Sequence, residues 1–335
     1  MSYKGTRVLV TGADGFIGSH LVEGLVAAGA KVTALAQYNS FGTNGWLDEV
    51  SDDVLSGITL SRGDIRDTAF MERLVAGQEI VFHLAALIAI PHSYDAPQSY
   101  VDVNVTGTLN VLEAARRHGV RRVVHTSTSE VYGTALTKPI GEDHPLQGQS
   151  PYSASKIAAD MMAEAYMRSF SLPVYILRPF NTFGPRQSER AVLSTMIRQA
   201  LDPDCPEIRL GDLKPTRDFN YVTNTVEAFL AMGSADALEP GRAYNAGTGV
   251  EVSISDMVGR VLSVTGANKP VVEEPGRFRP AGSEVRALVA DSRLLKDACG
   301  WTPSVDLDTG VGKTVDWWRD RIGDGKVRRS SDYLT

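Results

Sequence analysis

Along the first half of the chain, short and nearly unbroken apolar runs alternate with stretches whose apolar residues recur every three or four positions. The runs are "RVLVTG", "KVTALA", "ITLSRGDI", "EIVFHLAA", "RRVVHTSTS" and "LPVYILRPFN". Without polar alternation, such runs read as strands buried on both faces. The stretches between include "GSHLVEGLVAAGA", which stops at Gly29, "DTAFMERLVAG", "SYVDVNVTGTLNVLEAARRHG" and "SPYSASKIAADMMAEAYMRSF". Their spacing predicts helices. Strand and helix in alternation predict an α/β fold, a Rossmann-type doubly wound parallel sheet covered on both faces. Crossovers in such sheets are right-handed, and ligands bind at the carboxyl ends of the strands.

After Pro179 the texture changes to loops rich in Pro, Arg and Asp, such as "NTFGPRQSER" and "EEPGRFRPAGSEV". Residues 1–180 are therefore expected to form the sheet domain. Residues 181–335 are expected to form mainly a smaller C-terminal substrate-binding domain, with 218–248 returning to the sheet. The tail "GDGKVRRSSDYLT" is polar and expected to be unstructured.

Composition narrows the function without choosing it. With 335 residues, 43% of them apolar, and a net charge of −6, the chain supports a large core and has no basic excess for nucleic acid. The two cysteines, Cys205 and Cys299, make no disulfide framework or metal cluster, and a reducing cytoplasm fits. The N-terminus enters a strand at once, leaving no room for a signal peptide, and no apolar stretch is long enough to cross a membrane. No metal is expected. The basic run Arg116, Arg117, Arg121 and Arg122 reads as a helix C-terminus and a solvated face.

The loop "TGADGFIG" joins the first strand to the first helix and places Gly12, Gly15 and Gly18 three residues apart. Gly12 allows a sharp turn, Gly15 lets backbone approach a pyrophosphate, and Gly18 lets helix and strand pack closely. A dinucleotide is thus the expected cofactor. The second strand ends "ALAQYNS", where Ala36 or Gln37 stands in place of the usual ribose-binding acid. No nearby arginine awaits a 2′-phosphate, so NAD and NADP stay open. Asp64, after the third strand, is placed either to contact adenine or to cap a turn. His83, in an apolar strand, reads as a buried and satisfied histidine.

Chemistry concentrates in "SPYSASKIAAD" and "HTSTSEVYG". Tyr152 and Lys156 lie four apart on a predicted helix and share a face. A lysine ammonium beside a tyrosine, together with a cationic nicotinamide, would lower the phenol's pKa and make it a base. Thr128 and Glu130 sit at the end of the fifth strand, where ligands bind. A carboxylate there suggests proton abstraction.

The glycine loop, "FHLAA", "TSTSEVYG", "YSASK" and "RPFNTFGPRQ" together resemble the extended short-chain dehydrogenase/reductase family, over nearly the whole chain. The family's Gly-x-x-Gly-x-x-Gly and Tyr-x-x-x-Lys forms match Gly12, Gly15, Gly18, Tyr152 and Lys156. The resemblance implies cofactor contacts from Phe16, Ile17, Asp64, Ile65, Leu84, Ala85 and Ala86, and a nucleotide-linked sugar as substrate. The 4,6-dehydratases of the family carry a Thr-x-Glu triplet, matched by Thr128, Ser129 and Glu130. Ser129 departs from the Asp of the dTDP-glucose branch and looks like the GDP-mannose branch, so that Glu130 serves as both base and acid. The fuller wording "YNSFGTNGWLD" and "HLAALIAIPHSY" is similar to UDP-N-acetylglucosamine 4,6-dehydratases of the legionaminic-acid type.

Arginine suits a diphosphate, and Arg186, Arg190, Arg217, Arg277 and Arg279 are candidates. Arg217 and Arg279 match family positions that touch the diphosphate, Asn181 one that bonds the substrate phosphate, and Ser129 and Arg190 complete the implied substrate contacts. Helices 98–118 and 151–171 pair with a second copy's in this family, implying a homodimer. Three rival readings remain: a nucleotide-sugar 4-epimerase, a UDP-glucuronate decarboxylase, and a dinucleotide-binding sensor without turnover.

Overall fold

The strand-like runs do form one sheet. In the computed structural model, which describes residues 3–327, its strands are β1 (Arg7–Thr11), β2 (Lys31–Gln37), β3 (Ile58–Gly63), β4 (Ile80–His83), β5 (Arg122–Thr126), β6 (Val174–Pro179) and an edge strand, Ala243–Ala246. Residues 328–335 of the polar tail lie outside the described residues. All seven strands are parallel, in the order edge strand, β6, β5, β4, β1, β2, β3. The order reverses at β1, which lies between β2 and β4. In such sheets the ligand crevice lies at that reversal, outside the strands' carboxyl ends.

Period-two alternation sends successive β1 side chains to opposite faces. Val8 and Val10 join one core, and Leu9 joins the other. The second core is local, closed by Val111, Leu112, Ala163 and their neighbours. The first continues without a break through helix Val222–Ser234 into the C-terminal helices, taking in Met196, Ile197, Val258, Val261, Val315 and Trp318. That helix and the edge strand Ala243–Ala246 bring residues after 218 back to the sheet.

Two local features differ from the sequence pattern. The stretch 98–118 is not one regular helix: it passes through a π-helical turn, Val101–Gly107, before the α-helix Thr108–Arg117. Asn104 causes the widening, because its side chain turns inward to bond both the N–H and C=O of Leu87 (2.8 and 2.9 Å) and the Ser155 hydroxyl (2.9 Å). Arg122 is also not part of a solvated face. It is buried, and its guanidinium donates to the carbonyls of Met232 and Ala235 at the C-terminus of helix Val222–Ser234. A cation suits that end of the helix dipole. Arg116 and Arg117, by contrast, are exposed and pair with Glu113. Among the described residues no helix is long and apolar enough to cross a membrane.

Candidate active site

The glycine loop turns out of β1 at Gly12, whose φ of +67° favours glycine. A Cβ there would lie 2.8 Å from the backbone nitrogen of Ala85, and one at Gly18 would lie 2.0 Å from the carbonyl oxygen of Gly12. These two glycines therefore serve protein-to-protein contact. Gly15 is different: it is exposed and is the N-cap of helix α1 (Phe16–Ala27). No side chain caps that end, and no acidic residue stands in the first turn. The first-turn amides, beginning at Phe16 and Ile17, are left for an anion.

Thr11 ties this loop to the exit of β4. Its hydroxyl accepts from the amides of Leu84 (3.1 Å) and Ala85 (3.2 Å) and bonds His83 Nδ1 (2.8 Å). His83 Nε2 bonds Thr108 (2.9 Å), so the histidine is satisfied within the sheet, as its apolar setting suggested. Leu84, Ala85 and Ala86 are half-buried along the crevice. Ile65 is buried and packs against Gly107. Asp64 is engaged by Arg66 (2.6 Å), which holds its carboxyl below the usual range. Helix Thr68–Val75 is capped by Asp67 instead. The pattern missed Asp14. Its carboxylate accepts from the Gln37 amide at 3.0 Å, placing an acid at the end of β2 where the strand itself has none.

Helix Pro151–Phe170 begins with a capping box between Ser150 and Ser153. It carries Tyr152 and Lys156 into the crevice floor. Tyr152 is 7% exposed and packs edge-on against Tyr100, with ring centroids 6.3 Å apart. Burial raises the phenol's pKa, and the neighbouring Thr128 hydroxyl partly offsets this. The Lys156 amine, one helical turn on, is buried and donates to the Thr126 carbonyl at 2.6 Å. Burial brings the amine's own pKa down to about 8, and Asp160 opposes that fall.

Asp160 was not singled out from the sequence, yet it is fully buried one helical turn after Lys156. It accepts from Ser127 (2.8 Å) and from Arg178 (3.0 Å), with His125 at 3.3 Å. Arg178 also donates to Tyr132 (2.9 Å), which donates in turn to Asn245 (2.7 Å). The spacing Tyr152, Lys156, Asp160 puts all three on one helix face and was the available signal.

Thr128 caps a short 3-10 turn, Ser129–Tyr132, by accepting from the Glu130 amide. Ser129 is buried. Glu130 is half-buried, and its charge reaches both Tyr152 and Arg217. Arg217 is buried beside Asp218, whose carboxylate is fixed by Thr248, Gly249 and Ala290. Arg217 and Arg279 both face Glu284, at 3.2 and 3.9 Å. Asn181 follows β6, and its side-chain oxygen is buried without a hydrogen-bond partner among the described residues. The other candidate cations differ in their settings. Arg186 is held by Glu23 on α1 at 2.8 Å, Arg277 pairs with Glu274, and Arg190 is exposed near Tyr100. Among the described residues no cluster of His, Cys, Asp and Glu could hold a metal ion.

The family model for GDP-mannose 4,6 dehydratase matches residues 9–314. A UDP-glucose 4-epimerase of Mycolicibacterium smegmatis is 35% identical, over 94% of this chain and 99% of the relative. A UDP-N-acetyl-alpha-D-glucosaminuronate decarboxylase of Bacillus cytotoxicus is 33% identical over 94% of this chain and 98% of its own length. Among solved structures, the dTDP-glucose 4,6-dehydratase DesIV of Streptomyces venezuelae, crystallised with NAD bound, superposes with a TM-score of 0.85 at 30% identity. That match covers 95% of this chain and 98% of the other.

Proposed function

Since this chain belongs to the extended short-chain dehydrogenase/reductase family of NAD-dependent epimerases and dehydratases, we propose that it is a nucleotide-sugar 4,6-dehydratase, favouring UDP-N-acetylglucosamine. Glu130 carries the choice. An epimerase needs only a base at the C4 hydroxyl. A carboxylate in the same crevice, close enough to Tyr152 and Arg217 to interact with both, suits removal of a second proton.

NAD fits the residues present. The uncapped first turn of α1 at Gly15 would receive the pyrophosphate. Asp14 at the end of β2 favours NAD over NADP, because a 2′-phosphate there would meet a like charge. Phe16, Ile17, Ile65, Leu84, Ala85 and Ala86 would contact the dinucleotide along its length, and Lys156 would hold its nicotinamide side. When bound, the dinucleotide accepts a hydride from the sugar and returns it within the same turnover.

The chain's own groups move the protons. Tyr152, with Thr128 beside it, takes the proton of the C4 hydroxyl. The resulting ketone acidifies the C5 hydrogen, and Glu130 removes it. Glu130 then gives that proton to the C6 hydroxyl, which leaves as water. Return of the hydride to C6 of the resulting 4-keto-5,6-ene, with Tyr152 giving its proton to C5, would yield the 4-keto-6-deoxy sugar. Arg217, Arg279 and Asn181 hold the diphosphate, with Ser129 and Arg190 on the sugar side. The exposed Val101, Met161 and Phe170 on the two pairing helices support a homodimer.

Incubation with UDP-, GDP-, dTDP- and CDP-hexoses, followed by mass spectrometry and NMR of the product, tests the reading. Loss of one water supports it. An isomer with its C6 hydroxyl intact would mean an epimerase, and loss of carbon dioxide from a uronate would mean a decarboxylase. Glu130→Gln is expected to build up reduced cofactor, visible by its absorbance, while water loss falls by about 10²-fold or more. Unaltered dehydration in that variant would sink the assignment.

A further inference from the structure

Glu284 sits where a substrate phosphate is expected. One carboxylate oxygen lies 3.2 Å from Nη2 of Arg217, and the other lies 3.9 Å from Nε of Arg279. Each oxygen thus addresses a different guanidinium. Arg217 is 5% exposed, and its other arm, Nη1, is committed to the Thr216 carbonyl at 3.0 Å. The arm left for an anion is the one Glu284 holds. Nη1 of Arg279 is buried without a hydrogen-bond partner among the described residues.

Resting on the reading of these arginines as diphosphate ligands, we propose that Glu284 is an internal place-holder for the substrate's diphosphate, which the nucleotide must displace in order to bind. The charges make the case. Among the described residues Glu284 is the one carboxylate that approaches both guanidinium groups, one Arg279 donor is left unpaired, and Glu130 acts on Arg217 only. A diphosphate brings two negative charges on adjacent groups and satisfies both. It cannot do so with Glu284 in place, because a third anion in a partly desolvated cluster is strongly repelled. Without any occupant, a buried Arg217 would lose its nearest counter-ion, which is costly. The carboxylate therefore keeps the empty site folded and lowers its affinity.

The backbone carrying Glu284 is not free to swing. Ser283 bonds Tyr94 (2.6 Å), the Gly282 carbonyl accepts from Gln149 (3.3 Å), and the Arg286 amide donates to Thr134 (3.2 Å). The Arg286 carbonyl accepts from the Thr216 amide at 2.9 Å. Displacement is thus a side-chain movement. The Glu284 side chain is 20% exposed and has solvent on one side into which to rotate.

Isothermal titration of the full-length protein with NAD present, using UDP and dTDP as probes, tests the proposal. Glu284→Gln keeps the size of the side chain and removes its charge. The variant is expected to bind UDP roughly tenfold more tightly than the wild type, the scale of one removed charge contact in such a setting. Arg217→Met in the Glu284→Gln background should erase that gain. Equal or weaker UDP binding by Glu284→Gln, with the wild type binding normally, overturns the place-holder. If the wild type binds no nucleoside diphosphate at all, the reading of the arginines fails first, and the proposal with it.

Discussion

Asp160 is fully buried, and burial alone would raise its pKa. His125 and Arg178 reverse that and hold the carboxyl below the usual range. The result is a fixed anion beside Lys156. The groups facing Lys156 are Tyr152 and Asp160 on its own helix, His83 on β4 and His125 on β5, with Arg178 on β6 behind Asp160. Burial brings the amine down to about 8. If the ammonium form is the working form, kcat/KM should fall as the pH rises through about 8. Asp160→Asn removes the anion that opposes deprotonation, so that limb should move to lower pH, by about one unit. A limb that stays put while kcat drops evenly would mean that Asp160 does not act through Lys156. Stability has the opposite sign. The folded pKa of Lys156 lies below the unfolded one, so the folded state binds fewer protons between about 8 and 10.5, and stability should rise across that window. Glu130, Tyr152 and Lys156 were legible because their chemistry is written in short motifs. Glu284 was not, because its partner Arg217 is 67 residues away and no local pattern joins them.

At the scale of elements, the glycine loop separates packing from binding. Gly18→Ala puts a methyl 2.0 Å from the Gly12 carbonyl, so α1 must shift. A loss of about 1–3 kcal/mol is expected, read as a lower melting temperature. Gly15 has φ −82° and only one near neighbour, the Gly12 carbonyl at 3.2 Å. Gly15→Ala should hold its melting temperature within a few degrees yet weaken NADH binding, followed by fluorescence, because the methyl stands at the anion face. Equal effects of the two variants on folding would refute this division. The three-glycine spacing and the division between Gly15 at the ligand and Gly18 in packing were plain in the sequence, but not what Gly12 packs against. That depends on where β4 ends, since Ala85 is what crowds Gly12. The π-turn was invisible for a similar reason: an apolar period cannot show that Asn104 has partners in Leu87 and Ser155.

The whole molecule shares one core across its two halves. The alternation of runs and periodic stretches was enough to read six of the seven parallel strands on one side, and loops on the other. It could not show that Val8 and Val10 belong to the same cluster as Trp318, because that contact spans nearly the entire chain. The consequence is cooperative. The four tryptophans, Trp46, Trp301, Trp317 and Trp318, report the C-terminal side: Trp46 reaches over from the first half to pack on Trp317 at 5.8 Å, and Arg321 lies over both rings. Far-ultraviolet circular dichroism reports the sheet and all the helices together. If one core holds both halves, urea unfolding followed by tryptophan fluorescence and by circular dichroism should give coincident midpoints. Saturating NAD should move both midpoints upward together, by mass action on a single folded state. An earlier fluorescence transition, with the dichroism signal of the sheet persisting beyond it, would mean that the C-terminal half comes away alone. The arginines it carries would then be attached to the sheet far more loosely than the continuity of the core requires.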